Sequence, residues 1–238
     1  MLMLEQKRVP YRRVDFLTLL HPVLARLHGF SAGGQTRTAG GRRTLAIRLG
    51  DNLGTVPGLA AGRERISTNF AIARFLDERH PDPPLFPADP EQRAAVEEVE
   101  RWANETLQMA ARRILGPAAI RDPAGFSRQT ADGRLGYLLY RHDLVRRLVA
   151  PRILRSVFAA GAEPELDPLS DLPAMLDRID GWIEAGVLGG AQPNAADCMV
   201  APSLALILYR PEAQPLFAGR PALGLVDRLL PEPAAAAG

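Results

Sequence analysis

Five prolines fall within the ten residues 81–90, in the run Pro81-Asp82-Pro83-Pro84-Leu85-Phe86-Pro87-Ala88-Asp89-Pro90. Neither a regular helix nor a central strand passes through such a run, because each proline removes a backbone donor and fixes its own φ. The patterns on its two sides differ. Before it, short apolar strand-like runs alternate with helical ones; after it, apolar residues recur at helical spacing. The run therefore reads as a stiff linker. The sequence predicts an α/β domain over residues 1–81, a linker over 82–90, an all-α domain over 91–230 and a disordered tail over 231–238.

In the first part, the opening eight residues read as a helix that Pro10 ends, followed by a strand over 11–16. Residues 21–28 read as a short helix closed by Gly29. Residues 31–43, rich in glycine and arginine, read as a loop, and 44–49 as a strand turned by Gly50-Asp51-Asn52. Strands over 55–59 and 64–66 precede a helix from Asn69 to Arg79. In the second part, Val96, Val99, Trp102, Leu107, Ala110 and Ile114 mark the buried stripe of one long helix. Further helices are expected over 135–150, with Pro151 as a break before 153–158, and over 171–185, with Pro173 in the first turn. The last two are expected from Asn194 to about Tyr209 and over 221–230.

Composition narrows the functional classes. A net charge of +2 gives no reason to expect a nucleic-acid binder, although arginine supplies 28 of the 29 basic residues and Lys7 is the only lysine. The lone Cys198 excludes an intrachain disulfide and suits a reducing compartment. Residues 1–8 hold Glu5, Lys7 and Arg8, which interrupts any leader-like apolar core. The apolar run 198–209 is too short to span a bilayer and contains Pro202. None of the four histidines has a metal-ligand spacing, so no metal is expected. The expectation is a soluble, cytoplasmic protein without nucleic-acid or membrane partners.

The chemistry concentrates around Thr55-Val56-Pro57 and Ile66-Ser67-Thr68-Asn69-Phe70-Ala71-Ile72. An X–Pro bond is the peptide bond for which cis is accessible, at about 0.5–1 kcal/mol against trans. A cis Val56–Pro57 bond turns the Val56 N–H and C=O outward, where an extended peptide can pair with them. The helix that begins near Asn69 offers unpaired N–H groups and a positive dipole end to a carboxylate. Together, Val56, Pro57, Thr68 and Asn69 suit a small, acidic, peptide-like ligand.

This arrangement resembles the glutathione site in the thioredoxin-fold domain of soluble glutathione transferases. Leu4-Glu5-Gln6-Lys7-Arg8-Val9-Pro10-Tyr11-Arg12-Arg13-Val14 looks like the end of that family's first helix and its second strand. Ala71-Ile72-Ala73-Arg74-Phe75-Leu76-Asp77-Glu78-Arg79-His80-Pro81, with Leu85-Phe86-Pro87, looks like its third helix and linker. Asn194-Ala195-Ala196-Asp197 resembles the capping box of a buried helix in its C-terminal domain. The resemblance implies a thioredoxin-like domain, truncated at its N-terminus, followed by an all-helical domain. It also implies conjugation of glutathione, or a similar small thiol, to a small hydrophobic electrophile. Glutathione is then a co-substrate, and the family is commonly dimeric.

Three departures from the family pattern accompany the resemblance. The thiolate is the reactive species, and the family stabilises it with a Tyr, Ser or Cys after the first strand. This chain starts inside the following helix, so its catalytic residue is unknown. Thr68-Asn69 stands where an acidic residue and Ser are usual, and Thr68 brings no charge to pair with an ammonium. Residues 31–53 are an insertion-like stretch. Either a strand lies upstream of Met1, or residues 44–49 occupy its place in the sheet. Two other functions stay open: a non-catalytic transferase-like binding protein and a glutathione-dependent isomerase.

Other residues read as structural. Asn194 and Asp197 are a reciprocal cap, Cys198 a small buried hydrophobe, His21 a turn residue and Trp102 core. Arg37, Arg42, Arg43 and Arg48 belong to a solvated loop. Trp102, Asn104 and Glu105 fall on the helix that borders the electrophile pocket in the family.

Overall fold

Helices dominate the computed structural model, which describes residues 1–16, 21–30, 56–136, 144–158 and 167–233. Helix α1 is Leu2–Gln6 and α2 is His21–Leu27. Strands β1 (Gly58–Ala61) and β2 (Glu64–Ser67) pair antiparallel, with Gly58 opposite Ser67 and Ala61 opposite Glu64. Gly62 supplies the positive φ of 59° that the two-residue turn requires. The hairpin runs directly into α3 (Asn69–Arg79).

The proline-rich run 81–90 follows, with Leu85 and Phe86 buried in it. Asp89 caps α4 (Pro90–Trp102), accepting from the N–H groups of Glu91 and Gln92, with Pro90 in the first turn. A π-helical turn, Ala103–Leu107, joins α4 without a break to α5 (Gln108–Arg121). Then come α6 (Pro123–Asp132), a π-helical turn over Val145–Val149, α7 (Ala150–Phe158), α8 (Leu172–Glu184), α9 (Asp197–Ile207) and α10 (Pro221–Leu229).

One buried cluster joins the residues before and after this run. It contains Met3 and Leu4 of α1, Ile72, Ala73 and Leu76 of α3, and Leu85 and Phe86. It continues through Val96 and Val99 of α4 to Val200, Leu204 and Ile207 of α9. Helix α9 is apolar all round, as a helix at the centre of such a core must be. Between α3 and α4, Arg74 bonds the fully buried Glu100 at 3.0 Å and approaches Glu97 at 3.4 Å. The guanidinium groups of Arg74 and Arg93 each lie 4.9 Å from the centroid of the buried Phe86 ring.

The structure departs from the sequence reading in several places. Among the described residues, 11–16 pair with no strand; they run without regular structure, and Tyr11 and Val14 are exposed. Strand β1 begins at Gly58 and not at residue 55. Leu135 lies in a turn over residues 133–136, where the Tyr209 hydroxyl accepts from its N–H at 3.0 Å. The helical pattern continues through Pro151, with the irregularity taken up by the π turn before it. Helix α6 had no counterpart in the sequence reading. Ala103, at 1 % exposure, takes the core position assigned to Trp102, whose ring meets that of Trp182 at 5.1 Å on the core's margin. In the tail, Glu232 bonds the buried Arg134 at 2.7 Å. The loop expected over 31–43, the strand expected over 44–49, residues 137–143 of the helix expected over 135–150 and tail residues 234–238 lie outside the described residues.

Candidate functional site

The β1–β2 register determines which residues meet. Because Gly58 pairs with Ser67, the residues just outside the ladder, Pro57 and Thr68, fall side by side. The Thr68 N–H donates to the Pro57 carbonyl at 3.3 Å. The Val56–Pro57 bond is cis and Val56 is 51 % exposed. Asn69 is the first residue of α3. The four residues singled out in the sequence thus occupy one end of the hairpin, where a partly solvated strand entry meets a helix N-terminus.

Thr68 is the helix cap. Its hydroxyl accepts from the Ala71 N–H at 3.2 Å, and its carbonyl accepts from the Ile72 N–H at 3.0 Å. Among the described residues nothing accepts from the N–H groups of Asn69 and Phe70, which leaves them for an outside acceptor. Thr68 has φ 76° and ψ 148°. Glycine tolerates that conformation; a β-branched residue held there costs on the order of 1–3 kcal/mol, and such outliers cluster at binding and switch sites. The helix dipole adds a positive partial charge at the same point.

Two supports fix the hairpin. The buried Phe30 ring lies so close to Gly58 that a Cβ there would stand 2.8 Å from its Cε1. Arg65 donates to the carbonyls of His28, Gly62 and Glu64, tying the turn to the end of α2. Neither residue was marked in the sequence. Phe30 had no periodic partner there, and Arg65 was one arginine among many.

The remaining candidates fall elsewhere. Asn194 and Asp197 cap each other: the Asp197 N–H donates to Asn194 Oδ1 at 3.0 Å and the Asn194 N–H to Asp197 Oδ2 at 2.9 Å. Gly189 adds a third bond to Asp197, whose carboxyl is raised above its ordinary range by burial. Burial pushes the Cys198 thiol up to about 12, so it is not a thiolate at neutral pH. Among the described residues no cluster of His, Cys, Asp and Glu could hold a metal ion. No helix among them is long and apolar enough to cross a membrane. A shallow cavity between α3 and α4, lined by Arg74, Asp77, Glu78 and Arg93, includes none of the four hairpin residues.

No family model matches the chain. A stretch of 42 residues, 18% of the chain, is 50% identical to Glutathione S-transferase Z1 of Arabidopsis thaliana. Glutathione S-transferase Z2 of the same plant is 48% identical over 42 residues. The chain spans about a fifth of the length of these curated relatives, 19% of each. Over that stretch the chain is similar to glutathione S-transferases. A mostly helical architecture with a small sheet is compatible with a fold of that kind.

Proposed function

We propose that the chain binds glutathione, or a similar small thiol peptide, at the end of the β1–β2 hairpin, and serves its transfer to a small hydrophobic electrophile. The observation that carries this reading is the juxtaposition of the exposed Val56–Pro57 edge with the Thr68–Asn69 helix terminus across the 3.3 Å Thr68–Pro57 bond. The Val56 backbone pairs with the cysteinyl unit as an added strand does. The N–H groups of Asn69 and Phe70 receive the γ-glutamyl carboxylate, with the Asn69 amide beside them. The partial similarity to two glutathione S-transferases supports the choice of ligand.

In this reading, residues 1–81 are the thiol-binding, thioredoxin-like unit, 82–90 the linker and 91–230 the helical unit that faces the electrophile. The protein works in the cytoplasm, as a homodimer, in detoxification-type chemistry. None of the chain's own side chains is assigned as the activator of the thiol. Cys198 is unsuited to it, because its thiol keeps its proton at neutral pH.

A non-catalytic binding role is the second reading. It is favoured by Thr68, which supplies no charge for the γ-glutamyl ammonium. Retention on immobilised glutathione together with turnover of a chlorodinitrobenzene-type electrophile supports transfer. Retention without turnover supports the binding role, and loss of both removes glutathione from the account.

A further inference from the structure

The chain's single lysine is also one of its most deeply buried cations. The Lys7 side chain is 0% exposed, and its ammonium bonds Asp77 Oδ1 at 2.7 Å and the His80 carbonyl at 2.6 Å. Asp77 Oδ1 accepts a second bond, from the Leu85 N–H at 2.6 Å. One carboxylate oxygen thus holds together the end of α1, the last turn of α3 and the linker. Helix α1 ends at this point, with Arg8 at φ 54° and the Val9 N–H returning to the Leu4 carbonyl at 2.9 Å.

The choice of residue is informative. The chain uses arginine for 28 of its 29 basic positions and keeps lysine here alone. An ammonium is a compact point charge whose donors point to separate acceptors, whereas a guanidinium is a flat fork that needs more room. The carboxylate oxygen and the carbonyl both accept from one nitrogen, an arrangement an ammonium can fill.

We propose that Lys7 is a latch joining α1 to the end of α3 and the linker, that the latch requires an ammonium, and that the folded chain therefore presents no lysine amine to solvent. Acylation or alkylation of Lys7 then proceeds only when α1 has lifted away. Lysine-directed modification becomes a readout of that opening.

The test treats the intact protein with an amine-acylating reagent and locates the adduct by peptide mapping. Lys7 is expected to react at least about a hundredfold more slowly in the folded protein than in the chain unfolded by urea, the protection expected when a buried ion pair must open first. Equal rates in the two states would overturn the proposal. Lys7→Arg keeps the charge and is expected to raise the unfolding equilibrium constant at least about tenfold, because the fork does not fit. A Lys7→Arg variant as stable as the parent would equally overturn it, since a purely electrostatic role tolerates that change.

Discussion

Thr68 and Pro57 are joined by a 3.3 Å hydrogen bond from the Thr68 N–H to the Pro57 carbonyl, one step beyond the last paired residues of the hairpin. The bond holds Thr68 at φ 76°, ψ 148° while its hydroxyl caps α3. Two opposed contributions meet in one residue: a favourable cap and an unfavourable backbone conformation.

Their separation is testable. Thr68→Gly keeps most of the capping tendency and removes the Cβ penalty, so it should stabilise the protein by about 1 kcal/mol. Thr68→Ala loses the cap without relieving the backbone and should destabilise it by about 1 kcal/mol. Urea denaturation of both variants distinguishes them, and equal midpoints would remove the strain from the account.

Gly58 and Phe30 give a packing prediction. A Cβ at Gly58 would lie 2.8 Å and 2.9 Å from two atoms of the Phe30 ring. Gly58→Ala should therefore cost about 1–3 kcal/mol, the usual range for overpacking. Phe30→Leu in the same chain should recover part of that cost. A double-mutant cycle with no coupling would show that the ring is free to move aside.

Glu100 predicts a pH dependence. Burial raises its carboxyl above the ordinary glutamate range, outweighing the nearby Arg74, and its Oε1 has no hydrogen-bond partner among the described residues. A carboxyl whose folded pKa is raised binds its proton more readily in the native state than in the unfolded one. Its contribution is fully present below the unfolded pKa, and is lost as pH rises from about 4.5 through the folded value. Glu100→Gln, measured against wild type, should therefore gain relative stability as pH rises through that window. A pH-independent difference between the two proteins would contradict this.

Thr68 also predicts an affinity change. If the ligand carries a γ-glutamyl ammonium at α3, Thr68→Glu supplies the missing anion and should tighten glutathione binding roughly two- to fivefold, the scale of an exposed ion pair. Isothermal titration of the variant and its parent at low salt measures this. Weaker binding would place the ammonium elsewhere.

The sequence was legible where one local rule dominated. Helix α3 could be bounded at Asn69 and Arg79 because the strand pattern stops before one and the proline run follows the other. The Asn194/Asp197 cap was legible because its spacing is its geometry. The proline run was legible, but the contacts beneath it were not. Lys7 and Asp77 are 70 residues apart, and no local pattern announces their bond. Phe30 over Gly58 was hidden for the same reason. Ala103 continues the three- and four-residue spacing of Val96, Val99 and Leu107, whereas the expected step from Trp102 to Leu107 spans five residues; the larger apolar side chain drew the reading to Trp102, which lies against Trp182. Residues 11–16 have a strand's composition, yet β-propensity depends on having a neighbour to pair with.

The central claim is that a thiol peptide binds at the junction of Val56–Pro57 and Thr68–Asn69. Titrating reduced glutathione into the isotopically labelled protein, while following backbone amide resonances, tests it most directly. The account predicts saturable shifts at the Val56, Asn69 and Phe70 amides that share one dissociation constant, with the Asp197 and Cys198 amides unmoved. Saturable shifts confined to other residues, or none at millimolar glutathione, would contradict it.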